Sequence, residues 1–195
     1  MSNVDRPSGL LPVRHRGGGT PQRIGAYTIA SGLAENIYSG DPVDLTGTGR
    51  NIALATAGDD NPVVGIFAGV KYVDSNGEQQ FRPRWPTGTV ATEIEAFVYD
   101  DPFQEFVAQV DGAAGMIEAD VGLNANLVAG AGNNFTGRSA WQIDNTGVAT
   151  TITFQVRLLG LARAVSASEN DYGQFAKARC YINRHRYGGQ PSAGA

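Results

Sequence analysis

The chain has 195 residues, 42% of them hydrophobic and 17% charged, with 26 glycines, 9 prolines and a single cysteine, Cys180. That length buries enough surface to fold without a metal or cross-link, and one cysteine excludes an intrachain disulfide. The formal net charge is −4, but residues 27–175 hold 18 acidic and 7 basic side chains, a net of −11, while both chain ends are basic, an arrangement that argues against nucleic acid as a partner.

Residues 1–26 read as a flexible basic arm. Pro7, Pro12 and Pro21 break regular structure, and Gly17, Gly18 and Gly19 favour a mobile chain. Leu10, Leu11 and Val13 give the arm apolar anchors, and Arg6, Arg14, Arg16 and Arg23 give it charge for a partner's carboxylates. Short β-rich segments follow over 27–187, predicted as one β domain. Strands are expected near 26–30, 42–45 and 51–55. A hairpin is expected where Asp74-Ser75-Asn76-Gly77 separates 70–73 from 80–82, because Asn-Gly supplies the positive φ of tight turns. Alternation over 91–99 continues after Asp100-Asp101-Pro102, which predicts a second hairpin. Further strands are expected near 121–128, 139–143 and 178–183. The clearest alternation lies at 150–158, where Ile152, Phe154, Val156 and Leu158 share one face. Residues 166–178 have room for a helical turn or two. Residues 188–195 read as a disordered glycine-rich tail. Many short strands with frequent turns predict an all-β sandwich or small, jelly-roll-like barrel with an extended N-terminal arm.

Chemistry-bearing constellations are sparse, and no catalytic residue, cofactor site or metal site is expected. His15 and His185 each lie between two arginines, with no carboxylate orienter evident from sequence. Gly17-Gly18-Gly19-Thr20 lacks the Gly-Lys-Ser/Thr ending of a phosphate loop and reads as a hinge. Asp59-Asp60 and Asp100-Asp101 read as solvated turn formers. Asn134-Phe135-Thr136 matches a glycosylation sequon. Trp85 reads either as core or as an exposed interface anchor. Arg184, Arg186 and Tyr187 read either as a nucleic-acid surface or as the end of a last strand with Cys180 and Ile182 inward; the acidic body favours the strand. The N-terminus lacks the order of a secretory signal, and no apolar run approaches a membrane span, so a soluble protein made in a reducing cytoplasm, with no membrane partner, is expected.

Residues 1–19, Gly40-Asp41-Pro42-Val43, residues 62–86 around Val64-Gly65-Ile66-Phe67-Ala68-Gly69-Val70, residues 96–112 and Ala119-Asp120-Val121-Gly122 together resemble the head-decoration, or capsid cement, proteins of tailed bacteriophages, most closely the short-tailed type. The resemblance implies a non-enzymatic virion protein on the outer capsid surface. Such a protein would be a homo-oligomer, dimer or trimer, clamping neighbouring major capsid subunits. Arg6, Leu10, Leu11, Val13, Arg14, Arg16 and Arg23 would then form the capsid-binding arm, with Trp85, Arg184, Arg186 and Tyr187 as further interface candidates. The alternative is a carbohydrate- or receptor-binding β domain of a fibre or knob, with Trp85, Trp141 and exposed tyrosines as stacking platforms.

Overall fold

The computed structural model describes residues 3–18, 23–162 and 170–188. Its strands are Leu11–His15 (β1), Ile24–Tyr27 (β2), Ile37–Tyr38 (β3), Pro42–Leu45 (β4), Ile52–Leu54 (β5), Gly65–Val73 (β6), Gln79–Arg82 (β7), Arg84–Trp85 (β8), Thr92–Tyr99 (β9), Gln104–Gln109 (β10), Asn124–Val128 (β11), Gln142–Ala149 (β12), Val156–Leu161 (β13) and Lys177–Ile182 (β14). Among the described residues there is no α-helix; Glu118–Asp120 forms one 3-10 turn. The protein is all-β and sandwich-like, and it is not a closed barrel. One sheet runs β1-β10-β14-β13-β11-β12, and the other runs β2-β9-β6-β4-β5 with β7 added to β6. A two-stranded piece, β3 with β8, completes it.

Each sheet carries its own apolar core. The first is built on Leu10, Phe106, Ile143, Val156, Leu158 and Cys180, and the second on Tyr27, Val43, Phe67, Val70, Trp85 and Val98. The run Val63-Val64-Gly65-Ile66-Phe67 separates them: Val63 and Ile66 face the first core, Val64 and Phe67 the second. A strand buried on both faces must be apolar throughout, which is why this segment loses the polar alternation of the others. Gly65 is required here, because a Cβ would collide with the Tyr99 carbonyl. Trp85 is fully buried, edge-on to Tyr72 at 5.3 Å between ring centroids.

The 70–82 hairpin forms as expected, with Asp74 N donating to Glu78 O and Gly77 at φ +80°. Two other expectations require correction. The segments on either side of Asp100-Asp101-Pro102 do not pair with each other; β9 lies between β2 and β6, and β10 between β1 and β14, so the turn is a corner between sheets. Residues 151–155 are turn rather than strand, Ile152 is exposed, and β13 begins only at Val156. Side-chain amides hold that turn. Asn183 Nδ2 donates to the carbonyls of Ile152 and Phe154, at 3.2 and 3.1 Å. Gln155, fully buried, accepts from the amides of Gly58 and Leu127 and donates to the carbonyls of Thr56 and Asn61, at 2.9–3.2 Å. All of its common hydrogen-bonding positions are filled, so the amide rivets three backbone segments together.

The N-terminal segment is the largest correction. Residues 3–18 are not a detached arm. Leu10 lies in the first core, Leu11 pairs with Val107, and His15 pairs with Gln104 across an antiparallel edge. Before the strand, Arg6 N donates to Gln109 Oε1 at 2.8 Å, and Asn3 Nδ2 donates to Asp171 O at 2.7 Å. Gly9 makes the entry possible: at φ +70° it crosses Gly40 and Ser139 so closely that a Cβ would sit 2.5 Å from the Gly40 carbonyl. The hinge expected at Gly17-Gly18-Gly19-Thr20 falls partly on residues 19–22, and the tail largely on 189–195, both outside the described residues.

Candidate interaction surfaces

Five of the eight basic side chains near the chain ends lie against carboxylates of the molecule itself. Arg14 Nε lies 2.7 Å from Glu105 Oε2, and Arg179 Nη1 lies 3.6 Å from the same buried carboxylate. Arg23 Nε is 3.7 Å from Asp100, Arg184 pairs with Asp60, and Arg186 reaches Asp44 through Nε at 3.0 Å. Arg16 lies over the Tyr181 ring at 4.1 Å and donates its backbone N–H to Phe103 O. Both Arg14 and Arg186 are held above the usual guanidinium value by hydrogen bonds to their carboxylates. Of the residues expected in a partner-binding arm, Leu10 is core, Arg14, Arg16 and Arg23 grip their own subunit, and Arg6 is exposed. Val13, 46% exposed, and the partly buried Leu11 and Pro12 retain apolar surface on β1.

The two ends meet the β9–β10 corner in a polar cluster. His15 Nε2 lies 3.3 Å from Asp101 Oδ2, so one histidine does have a carboxylate neighbour, contrary to expectation. Tyr27 donates its hydroxyl to Asp100 Oδ2 at 2.9 Å, and burial with this bond raises its pKa. His185 is buried, its Nδ1 accepting from Tyr187 N at 3.0 Å. Burial lowers its pKa to about 4 in spite of the nearby Asp100, Asp101 and Asp44. Among the described residues no group of three or more His, Cys, Asp or Glu is placed to hold a metal ion. Cys180, buried and pushed up to about 12, is an apolar filler rather than a nucleophile.

Two surfaces remain that sequence reading missed. The first is one face of the second sheet, which Ile66 and Tyr99 turn toward the first core at one end and which is open to solvent beyond them. Directly paired strand residues share a face, so the pairs Ile24 with Tyr99, Lys71 with Glu95 and Lys71 with Phe81 place Ile24, Phe97, Glu95, Lys71 and Phe81 together. Ile24 is 49% and Phe81 67% exposed. Where this face meets β1, a cleft of about 270 Å³ opens, lined in part by Leu11, Pro12, Pro83, Tyr99 and Arg138. Only the partner of each strand, which tertiary pairing decides, reveals the patch. The second surface is the loop 133–138. Asn133 Oδ1 accepts from the amides of Phe135 and Thr136, at 2.8 and 2.9 Å, and Asn133 N donates to Arg138 O at 2.8 Å. This closed turn holds Phe135 at its tip, 99% exposed. Arg84 Nη1 donates to Asn134 Oδ1 at 3.3 Å, and neither Arg84 nor Arg138 makes an ion pair among the described residues. A phenylalanine inside a Gly/Asn-rich turn was the available signal, since such a turn has no core to offer it.

The other interface candidates divide. Trp85 is core, Arg184 and Arg186 are paired, and Tyr187 is 55% exposed. Trp141 is also buried, so neither tryptophan can act as a glycan-stacking platform. Compared with protein-family models, with curated proteins and with solved structures, the chain matches none.

Proposed function

We propose that this protein is a structural, non-enzymatic virion component, a decoration protein that lies on the outer surface of a phage head and clamps neighbouring major capsid subunits. The clamp is a folded face rather than a detached arm. The observation that carries this reading is the open sheet face bearing Ile24, Phe97 and Phe81 beside the β1 cleft. Two exposed apolar side chains, Ile24 and Phe81, on one face with the half-buried Phe97 and a Lys71–Glu95 pair at 3.8 Å make the kind of mixed surface that broad protein contacts cover. The segment-by-segment likeness to cement proteins supplies the partner. Holding requires complementarity over an area and no reacting group. Oligomers of such a protein would gain roughly 10² to 10⁴ in avidity over a single contact.

Purified protein mixed with undecorated mature heads should coat them, with density on the outer surface bridging subunits in an image reconstruction. The double variant Ile24→Asp with Phe81→Asp should remain folded and lose coating. Normal coating by that variant, or no binding of the wild type to heads, overturns the proposal.

A further inference from the structure

The loop 133–138 and a groove at β13 and β14 carry opposite charge, Arg84 and Arg138 at the loop and Glu118 at the groove. The loop presents one aromatic ring with no apolar neighbour to cover it, held by an Asx-type turn that leaves little conformational entropy to lose on binding. Arginine and an exposed aromatic residue together are the composition that dominates protein interfaces. The groove, about 560 Å³, lies at β13 and β14 and is lined by Glu118, Val121, Leu159, Leu161, Tyr172 and Arg179. Among the described residues its one lining cation, Arg179, is already engaged by Glu105 at 3.6 Å, and the exposed Glu118 makes no ion pair.

We propose that Phe135 is a docking knob that seats in the Glu118–Tyr172 groove of a second copy of this chain, with Arg138 and Arg84 facing Glu118 of that copy. The ring fills the apolar floor formed by Leu159, Leu161 and Val121, and the guanidinium groups neutralise the carboxylate, for which arginine's planar fork is suited. The local positive surface of Arg84 and Arg138 suits the exposed Glu118 of a second copy, whereas the acidic balance of the whole chain, −4, disfavours polyanions such as nucleic acid. Because knob and groove are different patches, the contact is head-to-tail, and it closes a ring if the rotation permits. The inference stands independently of the virion reading and concerns the isolated protein.

Sedimentation of the purified full chain at low salt should show concentration-dependent association that weakens as salt is raised. Phe135→Ala should weaken it by about thirtyfold or more, the effect of losing an interface anchor, with unchanged circular dichroism and melting temperature. Arg138→Glu should weaken it, and adding Glu118→Arg to the same chain should restore it. Leu159→Asp should mimic Phe135→Ala. A wild type that stays monomeric up to millimolar concentration overturns the proposal. So does association untouched by Phe135→Ala, or a charge reversal that Glu118→Arg fails to rescue.

Discussion

The chain ends and the 133–138 loop both present arginines, yet the two regions use them in opposite ways. At the ends Arg14, Arg23, Arg179, Arg184 and Arg186 each reach a carboxylate of the same subunit, two of them converging on Glu105, which is only 4% exposed. At the loop, Arg84 and Arg138 have no carboxylate partner among the described residues, and the residue between the loop's polar anchors is a fully exposed phenylalanine. A basic stretch along a chain therefore does not by itself mark a binding surface. What matters is whether the fold brings acids to it. Here the edge strand and the last strand are carried to the acidic corner and loops, so the most uneven feature of the sequence is consumed in holding the sheets.

That contrast can be broken by substitution, and the largest effects belong to the buried side of it. Leu10→Ala should cost about 2–5 kcal/mol in denaturant-derived stability, as expected for a leucine lost from a core, whereas Val13→Ala, three residues on, should stay within about 0.5 kcal/mol. Equal effects at the two positions would restore the detached arm. Removal of residues 1–16 follows the same logic: it strips an edge strand and a core residue, so the truncated protein should melt at a markedly lower temperature than the full chain.

Gln155→Ala is expected to cost roughly 3 kcal/mol or more, since it leaves two amides and two carbonyls of two other segments without their partner. The measurement is again a urea or guanidinium midpoint. A loss below about 1 kcal/mol would mean that water replaces the amide.

The pH dependence separates two buried groups with opposite signs. Burial raises the Asp41 carboxyl from 3.8 to about 6, against the Ser139 hydroxyl and the Tyr38 amide. The folded state then binds the extra proton, so this group's contribution to stability falls as pH rises from about 4 to about 6. His185, lowered from 6.5 to about 4, has the reverse slope, its contribution rising with pH between about 4 and 6.5. Over that shared window the two offset each other. Asp41→Asn keeps an acceptor for Tyr38 N, so it should match the wild type near pH 4 and exceed it by up to roughly 3 kcal/mol at pH 7. An advantage of the variant that does not grow between pH 4 and 6 would show that Asp41 titrates normally.

The smallest expected effect on stability is at the loop. Phe135→Ala and Arg84→Ala should leave the melting temperature of the monomer within the range of ordinary surface substitutions, about 0.5 kcal/mol. A large loss at Phe135 would mean that the ring is packed and the two regions are alike after all.

Strand content, the 74–77 hairpin, and the inward Cys180 and Ile182 were legible in the sequence, because Asn-Gly turn chemistry and period-two burial are local consequences of backbone geometry. The same local rule misread residues 150–155, whose alternation is genuine but whose backbone is held by Asn183 and Gln155 from outside the segment. It also joined β9 to β10 as a hairpin, since alternation says which side of a strand is wet and nothing about its neighbour.

The amino-acid sequence alone determined an all-β protein without a disulfide, with an acidic middle and basic ends. Tertiary structure alone decided that residues 3–18 and the last strand are bound by the body, that Trp85 and Trp141 are interior, and that Ile24, Phe81 and Phe135 are exposed. The physical reason is range. Turn propensity and side-chain alternation act over a few residues, whereas ion pairing and sheet neighbours depend on segments a hundred residues apart being brought together, as Arg184 is to Asp60 across 124 positions.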